Sequence, residues 1–123
     1  MMPHIIIEHS QYFDENKILI IGKNIQKIMG DMPFANIDPD QCKIRGISYQ
    51  NYQVGLAKNA DFIHVSIKIL TGRSNEVRKD LSGQVFDWLT KYYQENLTRH
   101  YRCDISVDVI EMDRETYKKI TVG

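Results

Sequence analysis

The chain has 123 residues, and its 16 Lys and Arg are matched by 16 Asp and Glu, so the formal net charge is zero. Apolar residues at 42% and charged residues at 26% argue for a folded globular domain and against disorder. Without an excess of Lys and Arg to neutralise phosphates, the composition also argues against a nucleic-acid binder.

No apolar stretch reaches the length of a membrane span. The run Ile5-Ile6-Ile7 near the start is too short for a signal peptide and has no basic segment before it. A cytoplasmic protein is expected, with no membrane partner. A chain of this length is expected to form a single domain over residues 1–123. Cys42 and Cys103 are too few for a disulfide scaffold and read as reduced, half-buried thiols.

His4 to His9 carries a short β-branched run that suits a buried strand. Ile18, Ile21, Ile25, Ile28 and Met29 then recur at three- and four-residue spacing, one face of an amphipathic helix. Gly30, Asp31 and Pro33 are expected to stop it. From Cys42 to Tyr49, Lys43 and Arg45 alternate with Cys42 and Ile44, which predicts a strand, and Gly46 suggests a bulge. The polar stretch Gln50–Ala60 reads as a loop or a hairpin.

Ile63, Val65, Ile67 and Ile69 alternate with His64, Ser66 and Lys68 in a half-buried strand. Thr71-Gly72-Arg73-Ser74 is a turn, with Ser74 as helix N-cap. Val77, Leu81, Val85, Trp88, Leu89 and Tyr92 mark a second helix. Ile105, Val107 and Val109 alternate against Asp104, Ser106 and Asp108 in a last strand, and a charged, weakly patterned tail follows.

The order is strand, helix, strand, twice over. Two βαβ halves, about 3–50 and 61–111, predict an α+β fold built of α/β-type units: a four-stranded mixed sheet with both helices on one face. The other sheet face is expected to carry Ile and Val as well. No segment of the chain is left to cover it, so further copies of the chain are expected to do so.

The four histidines show no metal-ligand spacing, so no metal site is expected. Gly72-Arg73-Ser74 lacks the lysine and upstream glycine of a phosphate loop, and no Gly-x-Ser-x-Gly elbow occurs. A Cys/His nucleophile pair has nothing to locate it. Arg73 stands between the end of a strand and the start of a helix, where anions are favoured and a guanidinium adds a bidentate carboxylate donor. A solvated loop arginine is the plainer alternative. Arg45 on its strand is similar, with a sheet-face ion pair as its alternative. Pro3 suits a strand start. At a free amino terminus, however, proline is a secondary amine. Burial and nearby arginines would lower its pKa toward neutrality and make it a general base.

Pro3-His4-Ile5-Ile6 opening a strand, the paired βαβ units, and Gly72-Arg73-Ser74 between third strand and second helix resemble the tautomerase superfamily. The pair Ile44-Arg45, and His64 and Lys68 leading into Gly72-Arg73-Ser74, are similar to the 5-carboxymethyl-2-hydroxymuconate isomerase family within it. The resemblance spans roughly Pro3 to Ile110; the tail is dissimilar. It implies a homotrimer without metal or organic cofactor. It also implies an isomerase that moves a proton on an unsaturated 2-hydroxy or 2-oxo carboxylate. The substrate implied is 5-carboxymethyl-2-hydroxymuconate, an intermediate of homoprotocatechuate breakdown. Carried over, Pro3 would be base and then acid, and Arg45 and Arg73 would bind substrate carboxylates. Met1 and Met2 precede Pro3 here, so the implied activity requires Pro3 to be freed. Alternatives are a superfamily enzyme with another substrate and a non-catalytic ferredoxin-like binding module.

Overall fold

The computed structural model describes residues 3–32 and 37–123. Strand β1 (His4–Ser10) leads through an Asp14 N-cap into helix α1 (Glu15–Asp31). A 3-10 turn (Pro39–Gln41) precedes β2 (Lys43–Tyr49). After a long connection come β3 (Ala60–Leu70), helix α2 (Asn75–Asn96) and β4 (Arg102–Met112). The sheet order is β2-β1-β3-β4. β1 is parallel to β2, β3 is parallel to β4, and the two halves join through the antiparallel β1–β3 pair. This is the mixed sheet of two βαβ units that the pattern predicts.

Period-2 alternation decides which side chains meet the helices. Ile5 and Ile7 of β1, and Ile63, Val65, Ile67 and Ile69 of β3, form one fully buried core with Ile18, Ile21, Ile25 and Met29 of α1 and Leu81, Val85 and Leu89 of α2. Both helices therefore cover the same face. α1 comes so close to β2 that a Cβ on Gly22 would lie 2.2 Å from Ile44 Cγ2. Any larger residue at Gly22 would force the helix off the sheet.

The open face corrects one expectation. All four apolar side chains that alternate along β3 point toward the helices. The opposite face of β1 and β3 carries His4, Ile6, Glu8, Phe62, His64, Ser66 and Lys68, and is mostly polar. It is internally bonded: Tyr49 Oη donates to Glu8 at 2.6 Å, and His64 Nδ1 lies 2.6 Å from Ser106 Oγ. This face of β1 and β3 is therefore not the apolar surface expected to need cover from other copies.

Smaller differences have local causes. α1 runs through Gly30 to Asp31 and ends at Met32; Pro33, the expected stop, lies outside the described residues. Gly46 makes no bulge, because β1 and β2 pair residue for residue from His4↔Lys43 to Ser10↔Tyr49. Its missing side chain instead admits Ile18, whose Cγ2 would be 3.0 Å from a Cβ there. The 50–59 segment is a loop rather than a hairpin. Ser74 caps α2 as expected, accepting from Val77 N–H at 3.2 Å.

Candidate active site

One end of the sheet collects the starts of β1 and β2 and the end of β3. Pro3 is buried there, and its carbonyl accepts the Lys43 N–H at 3.0 Å. One step along, His4 pairs with Lys43 of β2 on one side and Lys68 of β3 on the other. Residues paired across a ladder share a face, so Lys43, His4 and Lys68 form a row on the open face. Arg45 lies two positions further along the same face of β2. Its guanidinium donates to His4 Nδ1 at 3.0 Å.

Arg73 follows the end of β3 in the turn before α2. It is half-buried and donates to the Leu70 carbonyl at 3.3 Å. Burial, then the neighbouring Arg114 guanidinium, disfavours its charged form. Gly72 holds the turn at φ +127°, where a side chain would be strained, with the Arg114 guanidinium packed against it. Pro3, Arg45 and Arg73 thus come to one end of the molecule, each anchored to its own neighbour.

The tail supplies what the sequence pattern did not reveal. Asp113 folds the chain back after β4: its side chain accepts from Glu115 N–H at 2.9 Å and its carbonyl from Tyr117 N–H at 2.9 Å. Arg114 Nε then donates to the Thr71 carbonyl. Tyr117 Oη lies 2.9 Å from His4 Nε2, and Lys119 Nζ donates to Gln41 at 2.7 Å. The tail therefore crosses the turn holding Arg73, the start of β1 and the approach to β2. His4 is next to the predicted proline and could have been suspected from that. Tyr117 and Arg114 carry no periodic signal.

This end gathers several cations on neighbouring strands and the tail. Among the described residues, the ion pairs join Arg78 to Glu111, Arg99 to Asp61 and Arg102 to Asp104. Lys43, Arg45, Lys68 and Arg114 belong to none of them. At the opposite end of the sheet a buried carboxylate is paired. Buried Asp61 lies 3.1 Å from Arg99, which stacks over Tyr12 and Tyr101. A cavity of about 260 Å³ beneath α1, lined by His9, Glu15, Ile18, Leu19, Gly46 and Ser48, has no Lys or Arg in its lining. Cations that form no ion pair among the described residues suit a ligand that brings its own negative charge.

Other chemistries find less support. Burial pushes the Cys103 thiol up to about 11 and raises Cys42 as well, so neither is a thiolate nucleophile near neutral pH. Among the described residues, no group of three or more His, Cys, Asp or Glu could hold a metal ion. No helix there is long and apolar enough to cross a membrane.

The family model described as 5-carboxymethyl-2-hydroxymuconate isomerase matches residues 3–122. No curated protein matches the sequence. Among solved structures, a 5-carboxymethyl-2-hydroxymuconate isomerase from Deinococcus radiodurans R1 superposes with a TM-score of 0.85 at 20% identity, covering 98% of this chain and 90% of that one. A 5-carboxymethyl-2-hydroxymuconate delta-isomerase gives 0.80 at 12% identity over 98% and 89%. A symmetric trimer of wild-type fused 4-OT gives 0.69 at 15% identity over 91% and 88%. At these identities the superpositions establish the fold.

Proposed function

Because the chain belongs to the 5-carboxymethyl-2-hydroxymuconate isomerase family, we propose that it moves a proton on an unsaturated 2-hydroxy or 2-oxo polycarboxylate, with 5-carboxymethyl-2-hydroxymuconate itself the preferred substrate. The proposed setting is the cytoplasmic breakdown of homoprotocatechuate. The observation that carries this reading is the set of cations around the start of β1 that form no ion pair among the described residues: Lys43, Arg45, Lys68 and Arg114.

In the proposed reaction, the Pro3 nitrogen, as a free secondary amine, takes a proton from the substrate. The pair of electrons left behind spreads into the conjugated system as a dienolate. Arg45 and Arg73 hold substrate carboxylates, and their charge stabilises the dienolate as it forms. The Pro3 ammonium returns the proton at another carbon, which restores the amine. The cycle is closed by one nitrogen and needs no cofactor. Removing the carboxymethyl group from the substrate, as in 2-hydroxymuconate, should lower kcat/KM by roughly tenfold or more, the worth of one charge-assisted contact. Equal rates on both compounds, or on neither, would sink the substrate assignment.

We further propose a homotrimer of this single-domain chain, supported by the likeness to the symmetric 4-OT trimer. Ile47 and Ile110, both on the open sheet face and exposed by 42% and 36%, would gain cover from neighbouring copies. Sedimentation at micromolar concentration should show one species of three chains; a stable monomer contradicts it.

A further inference from the structure

Tyr117, His4 and Arg45 form a chain of contacts whose protons can be placed by elimination. A guanidinium has donors only, so the Arg45 contact at 3.0 Å requires a lone pair on His4 Nδ1. The ring proton of neutral His4 is then on Nε2, and it is donated to Tyr117 Oη at 2.9 Å. The two rings meet edge to face, with centroids 5.9 Å apart and planes at 75°. A different tautomer would set an N–H of His4 against the N–H of Arg45.

We propose that Tyr117 is a positioning residue: it accepts the His4 Nε2 proton, and the Nδ1 lone pair so presented fixes the Arg45 guanidinium where it can receive a substrate carboxylate. The inference rests on the reading of Arg45 as a substrate ligand and extends it to the C-terminal tail. Everything charged that faces the His4 ring agrees with a neutral imidazole. Burial, then Arg45 and Lys43 from β2 and Lys68 from β3, all hold its pKa below the ordinary value. A protonated ring would repel all three cations and lose the bond to Arg45.

The relay has a signature that a merely structural tyrosine lacks. In the full chain, the ring nitrogen shifts of His4 should show the Nε2–H form near neutral pH, and Tyr117→Phe, which keeps the ring but not the acceptor, should give a mixture of tautomers. In a chain beginning at Pro3, Tyr117→Phe should raise KM by roughly tenfold with kcat changed less than about twofold. In an Arg45→Ala background it should add nothing further, since the two act through one contact. An Nδ1–H ring in the unsubstituted protein overturns the proposal. So does Tyr117→Phe with unchanged tautomer and KM. Arg45→Ala with unchanged KM instead overturns the reading of Arg45 as a substrate ligand, and the nitrogen shifts then decide the relay by themselves.

Discussion

A chain beginning at Pro3 is expected to isomerise its dienol substrate, whereas the same chain carrying Met1 and Met2 is expected to be slower by roughly 10²- to 10⁴-fold, the usual worth of a general base. The reason lies in one nitrogen. Acylated by Met2, it shares its lone pair with a carbonyl and has no basicity at any physiological pH. Freed, it is a secondary amine. α-Amino groups ordinarily titrate near 7.7–8.0. At a buried position near several cations the charged form is disfavoured, so the pKa should fall below that range. The active form is the deprotonated base. Hence kcat/KM should rise with pH through the lowered pKa and then level off. Making both forms and assaying them side by side tests this. Equal activity would remove Pro3 from the mechanism and leave a likeness of fold. Inactivity of both would favour the binding-module alternative.

Arg73→Ala is expected to lower kcat/KM by roughly thirty- to a thousandfold, about 2–4 kcal/mol of lost transition-state binding. Arg73→Lys should recover only part, because an ammonium cannot offer the paired donors of a guanidinium. Thermal stability should barely move. Gly72 at φ +127° and the Ser74 cap would keep the turn in shape. Full turnover by Arg73→Ala would show that this arginine does not bind substrate. Arg45→Ala should act in the same direction.

The fold was legible because alternation and helical spacing are local. Ile63 to Ile69 announce a half-buried strand, and Ile18 to Met29 announce a helix, with no knowledge of partners. Which face is apolar on both sides of a sheet is not local. The expectation of Ile and Val on the open face fails because Ile63, Val65, Ile67 and Ile69 all go to the helix side. Register is not local either. Lys43, His4 and Lys68 are far apart in the chain and become a row only once β1 pairs with β2 in parallel and with β3 in antiparallel fashion. Pro3, Arg45 and Arg73 could be singled out because each sits in a short recognisable motif. Tyr117 could not: a turn started by Asp113 carries it to His4, and neither residue belongs to a periodic segment.

The return of the tail to the start of β1 limits how the protein can be handled in the laboratory. A purification tag ahead of Pro3 would keep its nitrogen acylated. A fusion after Gly123 would leave from a segment pinned to Gln41 and His4, beside the proposed carboxylate ligand Arg45. Circular permutation through joined ends would keep the Pro3 nitrogen acylated and move the free amine elsewhere. The 50–59 loop lies at the far end of the sheet, between Tyr49 and Ala60, and Leu56 at its tip is 96% exposed. An affinity tag or fluorophore inserted there would leave both termini untouched.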